Sequence, residues 1–146
     1  MKLYTIGFTQ KPAERFFGLL AEHGVERVVD IRLKPGGQLS GFAKQQDLAW
    51  FLERLVGAGY VHLPILAPSD DIRDDYRKDH DWNRYVPRFE ALMGERGVPD
   101  ALDRTLFQEK TCCLLCSEPG PERCHRRLVA ERLEREWGDV EVVHLR

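Results

Sequence analysis

The feature of this sequence that most constrains its fold is the alternation of short apolar runs with longer amphipathic segments. Short apolar runs predict strands at residues 2–6, 27–31, 60–63, 111–115 and 140–145. Apolar residues at helical spacing predict helices at residues 12–23, 47–56, 82–93, 100–108 and 122–137. We therefore expect a single α/β domain over residues 1–146, with an open, mainly parallel sheet of about five strands and helices on both faces.

The segment that follows the third strand, residues 67–80, is polar and carries five aspartates, among them Asp70, Asp71, Asp74 and Asp75. Because of this composition, we interpret it as an excursion or lid at the edge of the sheet. Its aspartates lack the spacing of an EF-hand loop, so we expect them to face solvent. Tyr76, within the same segment, can reach back over the sheet edge.

Composition and charge narrow the class of protein. A chain of 146 residues with 42% hydrophobic and 32% charged content is typical of one folded domain. The net charge of −2 argues against a mainly electrostatic nucleic-acid binder. No apolar run has the length of a membrane span, and the N-terminus lacks a signal-peptide pattern. We expect a cytoplasmic, bacterial-type protein with no membrane association, whose four cysteines are free, metal-bound or catalytic rather than bridged.

Polar residues follow four of the predicted strands, where an open parallel sheet binds its ligands. These residues, which packing does not require, are Thr9, Asp30 with Arg32, His62, and Cys116 with Glu118. The carboxyl ends of parallel strands meet at one edge, so we expect a site there. Gly7, at the end of the first strand, belongs to the same edge.

The stretch CSEPGPERCHRR, residues 116–127, holds the densest group of reactive side chains. Its two prolines and one glycine predict a loop, after which Cys124, His125 and Arg126 open the last helix. The unpaired N–H groups and positive dipole at a helix start favour an anion and lower the pKa of a thiol. We therefore predict anion-binding residues at Gly7, Thr9, Arg32, His125 and Arg126, and catalytic candidates at Asp30, Cys116, Glu118 and Cys124.

Several roles for the thiols remain open. Zinc is disfavoured, because Cys113 and Cys116 point to opposite faces of a strand and adjacent Cys124 and His125 are poorly placed to chelate one ion. We predict no metal ligand on this basis. Cys116 and Cys124 can instead form a redox pair, act as nucleophiles, or lie in a loop of solvated charges. Cys112 and Cys113 are expected to pack in the core.

Common phosphate and nucleotide motifs are absent. The C-x5-R pattern of a phosphatase loop would require Arg where Glu122 and Ala130 stand. TIGFTQKP contains one glycine and cannot be the GxGxxG turn of a dinucleotide fold, and LKPGGQLSGF lacks the GK[ST] of a P-loop. The sequence therefore indicates no particular cofactor, and it gives no oligomeric state.

Four segments together resemble a known family. They are TIGFT, DIR, YVHLPILA and CSEPGPERCHRRLVAERL, and they occur in that order over nearly the whole chain. The chain resembles domain of unknown function 488 (DUF488), which implies a compact α/β domain without a settled reaction. Two departures stand out: the family often has TIGHS where this chain has Phe8 and Thr9, and LGG where it has Leu66, Ala67 and Pro68.

The leading hypothesis is an enzyme that acts on a phosphate-bearing small molecule or nucleotide. Arg32, Arg126 and the helix start would hold the anion, Asp30 or Glu118 would act as a base or sugar ligand, and Cys116 or Cys124 would be the reactive thiol. One alternative is a nucleic-acid-associated protein that uses a basic edge and exposed aromatic rings, drawn from Arg32, Lys34, Lys44, Arg123, Arg126, Arg127, Phe8, Phe42 and Trp50. The other is a thiol-based redox or metal-linked switch.

Overall fold

The computed structural model describes the backbone throughout and the side chains of residues 1–37 and 41–146. The five strands are β1 Lys2–Gly7, β2 Arg27–Asp30, β3 Gly59–His62, β4 Cys112–Cys116 and β5 Glu141–His144. The helices are α1 Ala13–Glu22, α2 Gln45–Leu55, α3 Asp70–Asp79, α4 Trp82–Glu95, α5 Arg104–Gln108 and α6 His125–Trp137. Two 3-10 helices span Gln38–Ala43 and Pro64–Leu66.

The strands form one sheet in the order β3-β2-β4-β1-β5, and every pairing is parallel. Helices α1 and α2 pack on one face, and helices α3 to α6 pack on the other. The predicted α/β fold with a parallel sheet of five strands is therefore confirmed. Among the helices of this structure, none combines the length and apolar character needed to cross a bilayer.

The central strand β4 shows why the chain forms this sheet. All five of its side chains are buried, as expected of a strand covered by helices on both faces. Cys112 and Leu114 contribute to the core under α4 and α6, whereas Cys113 and Leu115 contribute to the core under α1 and α2. The core role predicted for Cys112 and Cys113 matches these positions.

The connections around the centre of the sheet open a crevice at its carboxyl edge. The chain leaves β1 and β2 toward the face of α1 and α2, but it leaves the intervening β4 toward α6 on the opposite face. Such divergence marks the usual ligand site of an open parallel sheet. The register places Gly7 opposite Cys116 and Asp30 opposite Leu115, so these strand ends lie at the same level.

Residues 67–80, interpreted above as an excursion or lid, contain a helix that the sequence pattern did not predict, because Asp70–Asp79 form α3. Ile72 is the only buried residue of this helix. Its sequence therefore lacks the repeated apolar positions from which the other helices were predicted. The helix is instead indicated by its charges, because two aspartates lie in the first turn and Arg77 and Lys78 lie in the last. That arrangement complements the helix dipole.

The helix predicted at residues 100–108 is shorter than expected. The structure forms α5 only from Arg104 to Gln108, and residues 97–101 form turns. The Asp103 carboxylate caps the shorter helix by accepting a hydrogen bond from the Thr105 backbone N–H at 3.0 Å. An N-terminal cap at Asp103 explains why the helix begins later than Pro99 suggested.

Candidate functional site

A pocket of about 600 Å³ occupies the crevice at the carboxyl edge of the sheet. Its walls come from the segments that follow β1, β2 and β4, together with α3 and the start of α4. Two thiols and an imidazole lie in it beside cationic and aromatic side chains. The volume is that of a typical small-molecule site, for which about 300–1,000 Å³ is usual.

Cys116, Cys124 and His125 form the thiol–imidazole cluster of this pocket. Cys116 ends β4, Cys124 is the N-terminal cap of α6, and His125 is its first residue. One potential ligand atom from each side chain lies within 4.8 Å of the other two, and all three residues are buried. The loop between β4 and α6 therefore folds back and brings together residues that are nine positions apart.

The orientation of His125 is fixed by a backbone carbonyl. Its Nε2 lies 2.8 Å from the Ile31 carbonyl oxygen, which can only accept, so Nε2 carries the proton. In the neutral ring, Nδ1 is then an unprotonated acceptor, and it lies 3.3 Å from Cys116 Sγ. The imidazole thus directs its lone pair toward the thiols.

The two thiols differ in their electrostatic surroundings. The pKa of Cys116 is lowered chiefly by the Cys124 thiol, whose hydrogen it accepts, and further by the backbone N–H groups of Ser117 and Glu118 and the charge of Arg126. Burial opposes this shift but does not outweigh it. Burial raises the pKa of Cys124 well above its ordinary value. Of the two thiols, Cys116 is therefore the one whose surroundings favour ionisation more.

Arg126 and Gly7 support the loop from beneath rather than line the pocket. Arg126 is fully buried; its Nη1 donates to the Glu118 carbonyl oxygen at 2.7 Å and its Nε to Thr5 Oγ1 at 3.3 Å. A Cβ on Gly7 would overlap the same Glu118 carbonyl. Neither residue lines the pocket, and in this geometry both support the loop, while Nη2 of Arg126 is buried without a hydrogen-bond partner among the described residues.

The carboxylate of Asp30, a predicted catalytic candidate, is bonded to neighbouring side chains in this geometry. Its buried carboxylate accepts hydrogen bonds from Nε and Nη2 of Arg32 at 2.9 and 2.7 Å, and from the Tyr60 hydroxyl. Arg32 also donates to the Ala43 carbonyl at 2.6 Å and lies over the Phe8 ring at 5.3 Å. Asp30 does not line the pocket, whereas Arg32 does. The carboxylate therefore fixes the guanidinium instead of facing a ligand.

The pocket walls are strongly cationic. One carboxylate, that of Glu118, stands against five cationic side chains: Arg32, Lys34, Arg73, Arg77 and Arg123. Arg73 and Lys34 have ion pairs with Asp70. Among the side chains that the structure describes, Arg77 and Arg123 have no carboxylate partner, and both are exposed. These two guanidinium groups are therefore available to an anionic ligand.

One side of the pocket is an aromatic wall, formed by Tyr76, Trp82 and Tyr85. Trp82 and Tyr85 are stacked, with ring centroids 5.1 Å apart and an angle of 13° between planes. Tyr76 contacts both of them edge-on, at 5.8 and 5.1 Å. Phe8 adds a further ring to the pocket lining, at the position where the family pattern often has histidine. These ring faces suit a planar part of a ligand.

Six of the nine candidate residues line the pocket: Thr9, Arg32, Cys116, Glu118, Cys124 and His125. The other three, Gly7, Asp30 and Arg126, lie outside its lining. His62 is also outside it and binds the Arg32 carbonyl oxygen through Nε2 at 2.7 Å. The structure thus brings the strand-end residues together at one edge. Some of them line the pocket, and the others contact the residues or the loop that line it.

Three residues of the pocket were not predicted from the sequence: Arg73, Arg77 and Tyr85. Tyr76, which was expected at the sheet edge, does line the pocket. Arg73, Tyr76 and Arg77 have the i, i+3, i+4 spacing that places three side chains on one face of a helix. Recognition of α3 from its charge distribution would have identified this basic face.

One family model matches most of this chain. The model of the family described as "Domain of unknown function DUF488" matches residues 12–133, which is most of the chain and includes all three cluster residues. The chain belongs to the DUF488 family. No curated protein and no solved structure gave a significant match. The DUF488 description names no activity.

Proposed function

We propose that this DUF488 protein is an enzyme that acts on a phosphate-bearing small molecule, most suitably a nucleotide, in the pocket at the carboxyl edge of the sheet. The observation that carries the proposal is the combination of cationic groups, aromatic rings and a buried thiol–imidazole cluster in one cavity of small-molecule size. Each part corresponds to a different part of such a ligand.

The cationic residues match the phosphate. Arg32 lines the pocket with its guanidinium oriented by Asp30, but its Nε–Nη2 edge is already bonded to that carboxylate. Arg77 and Arg123 supply charge that no described carboxylate neutralises. Arginine is well suited to phosphate because its N–H groups can bind two oxygens at once.

The aromatic wall of Tyr76, Trp82 and Tyr85 matches a planar ring such as a nucleobase. Stacking on aromatic side chains contributes about 1–3 kcal/mol per base. A ligand that carries both a base and a phosphate can therefore use two walls of the same pocket. This arrangement favours a nucleotide over inorganic phosphate.

The buried cluster matches the reacting part of the ligand. Cys116 and His125 lie within hydrogen-bonding range of each other, and the imidazole is oriented by the Ile31 carbonyl. Glu118 and Thr9 line the same cavity and can hold a sugar or phosphate hydroxyl. A site with oriented polar groups and restricted access to water is suited to catalysis as well as binding.

The same observations favour a small molecule over a nucleic-acid strand. Of the basic residues considered for a nucleic-acid surface, Arg32 and Arg126 are buried. Trp50, considered as a stacking residue, is exposed on α2 with Arg54 over its ring, and it is not part of the pocket.

The proposal is tested by thermal denaturation of the reduced protein with inorganic phosphate, nucleosides, nucleotides and sugar phosphates. A ligand of the folded state raises the Tm in proportion to its binding free energy. We expect nucleotides to give a larger shift than phosphate or the matching nucleosides at equal concentration. Absence of a shift with every phosphate compound would contradict the proposal.

Replacing Arg77 with Gln is expected to weaken nucleotide binding about tenfold. A charge-assisted hydrogen bond contributes about 1.5–3 kcal/mol, and about 1.4 kcal/mol corresponds to a factor of ten. The matched control is Lys78→Gln, which removes the same charge from the adjacent position of α3 but lies outside the pocket lining. Titration calorimetry compares the two variants; equal affinities would exclude direct contact by Arg77.

A further inference from the structure

The thiol–imidazole cluster has a composition that the proposed function does not explain. Catalysis by one thiol requires one cysteine and one base, yet Cys124 is also buried beside Cys116 and His125. Two sulfur atoms and an imidazole nitrogen, all within 4.8 Å of one another, form the donor set that Zn²⁺ prefers. This proximity answers the objection that adjacent Cys124 and His125 cannot meet at one ion, because the helix start brings both beside Cys116.

The surroundings of His125 are those of a metal ligand. Metal-bound imidazoles usually donate their second ring N–H to a carboxylate or backbone carbonyl, which fixes the tautomer. Here Nε2–H donates to the Ile31 carbonyl at 2.8 Å and leaves Nδ1 facing the sulfur of Cys116 at 3.3 Å. This contact is an observation independent of the donor composition, and it leads to the same conclusion.

We propose that Cys116 Sγ, Cys124 Sγ and His125 Nδ1 bind one Zn²⁺ ion, with its fourth position open toward the pocket. Zinc bonds of about 2.3 Å to sulfur and about 2.0–2.1 Å to nitrogen place tetrahedral ligand atoms about 3.5–3.8 Å apart. The cluster therefore needs to contract by only about 1 Å at its widest separation of 4.8 Å or less. Binding releases the thiol protons to solvent.

The three-ligand set favours a reactive ion over a structural one. Structural zinc sites are closed by four protein ligands, whereas catalytic sites keep one position for water or substrate. All three ligands line the pocket, so a bound ion would face the space between the aromatic wall and the arginines.

A role for the open fourth position in a reaction rests on the proposed function. The binding of the metal does not depend on that function. A protein that binds Zn²⁺ without affinity for nucleotides would refute the proposed function alone. A protein that binds nucleotides with the cluster free of metal would refute the zinc site alone. Metal and nucleotide are therefore measured in separate experiments.

The test uses the full-length reduced protein, cleared of metal by a chelator and then titrated with Co²⁺ and Zn²⁺. We expect one Co²⁺ per chain, thiolate-to-metal charge-transfer absorption with the visible bands of a tetrahedral ion, and displacement of Co²⁺ by Zn²⁺. This measurement on the unaltered protein needs no variant to fold. Lack of thiolate absorption, or a Cys116–Cys124 disulfide that persists under reducing conditions, would overturn the site.

Variants then assign the ligands. We expect Cys116→Ser, Cys124→Ser and His125→Ala each to lower Zn²⁺ affinity by more than about 100-fold, because outer-shell partners alone contribute about 10–100-fold. The control is Cys112→Ser, whose hydroxyl can keep the bond that the thiol makes to the Leu106 carbonyl at 3.5 Å. Circular dichroism verifies the fold of each variant. Equal losses in the control, or unchanged affinity in a folded ligand variant, would contradict the assignment.

Discussion

Replacing Asp30 with Asn is expected to destabilise the fold by about 3–5 kcal/mol, the usual effect of removing one partner of a buried ion pair. The carboxylate is fully buried and accepts four hydrogen bonds, three of them from Arg32. In the variant, the Arg32 charge stays in place without its counter-ion. We expect the Tm to fall by about 10 °C in a thermal melt.

This result separates a positioning role from a catalytic one. A catalytic base that faces substrate can be replaced by its amide with little loss of stability, whereas Asp30 cannot. Asp70→Asn is the control, because Asp70 is exposed and its ion pairs with Lys34 and Arg73 are of the weak surface kind. A variant at Asp30 that melts like the wild type would restore it as a candidate base.

The double substitution Asp30→Leu with Arg32→Met tests the coupling directly. Removing both partners of a buried pair leaves no uncompensated charge, so its cost should be far below the sum of the two single substitutions. Urea unfolding of the four proteins gives the coupling free energy. Additive costs would show that the two side chains do not act as a pair.

Replacing Gly7 with Ala is expected to destabilise the protein by about 2–3 kcal/mol and to abolish nucleotide binding, because the added methyl group overpacks a site with no free space. The new Cβ would overlap the Glu118 carbonyl oxygen and lie 2.9 Å from Arg126 Nη1. The backbone must therefore move, and with it the loop that holds Cys116 and Cys124. Thermal melts and calorimetric titration measure the two effects.

Gly18→Ala is the matched control for this substitution. Gly18 lies in α1, and a Cβ there meets no atom within 4 Å among the described residues. Alanine is favoured over glycine in a helix interior by about 0.5–1 kcal/mol, so this variant should be slightly more stable. A Gly7 variant with wild-type stability and binding would contradict the close contact between β1 and the loop.

The sequence was informative about the sheet because buried strands leave a direct apolar signal. The register of β1, β2 and β4 then explains why residues that follow different strands meet at one edge. What the pattern cannot give is the direction of each side chain beyond the strand. Asp30 and Arg126 are charged residues at the correct edge, yet Asp30 is bonded to Arg32, Arg126 donates to the Glu118 carbonyl, and neither lines the pocket.

The cationic and aromatic walls were harder to predict than the cluster itself. The helix α3 buries only Ile72, so its formation depends on end charges and on packing against α4 rather than on an apolar stripe. Without that helix, Arg73 and Arg77 cannot be assigned to a common face. Likewise, the backbone geometry at the start of α6 places the side chains of Cys124 and His125 beside Cys116. The spacing of these residues in the sequence does not show this.

The central claim is that one pocket recognises a phosphate and a planar ring together. The most direct measurement is a calorimetric titration of the reduced protein with a nucleoside monophosphate, its nucleoside and inorganic phosphate. The account predicts one nucleotide site per chain, tighter binding than either part alone, and loss of affinity in the Arg77→Gln/Arg123→Gln double variant. Nucleotide binding no tighter than phosphate, or unchanged in that double variant, would contradict it.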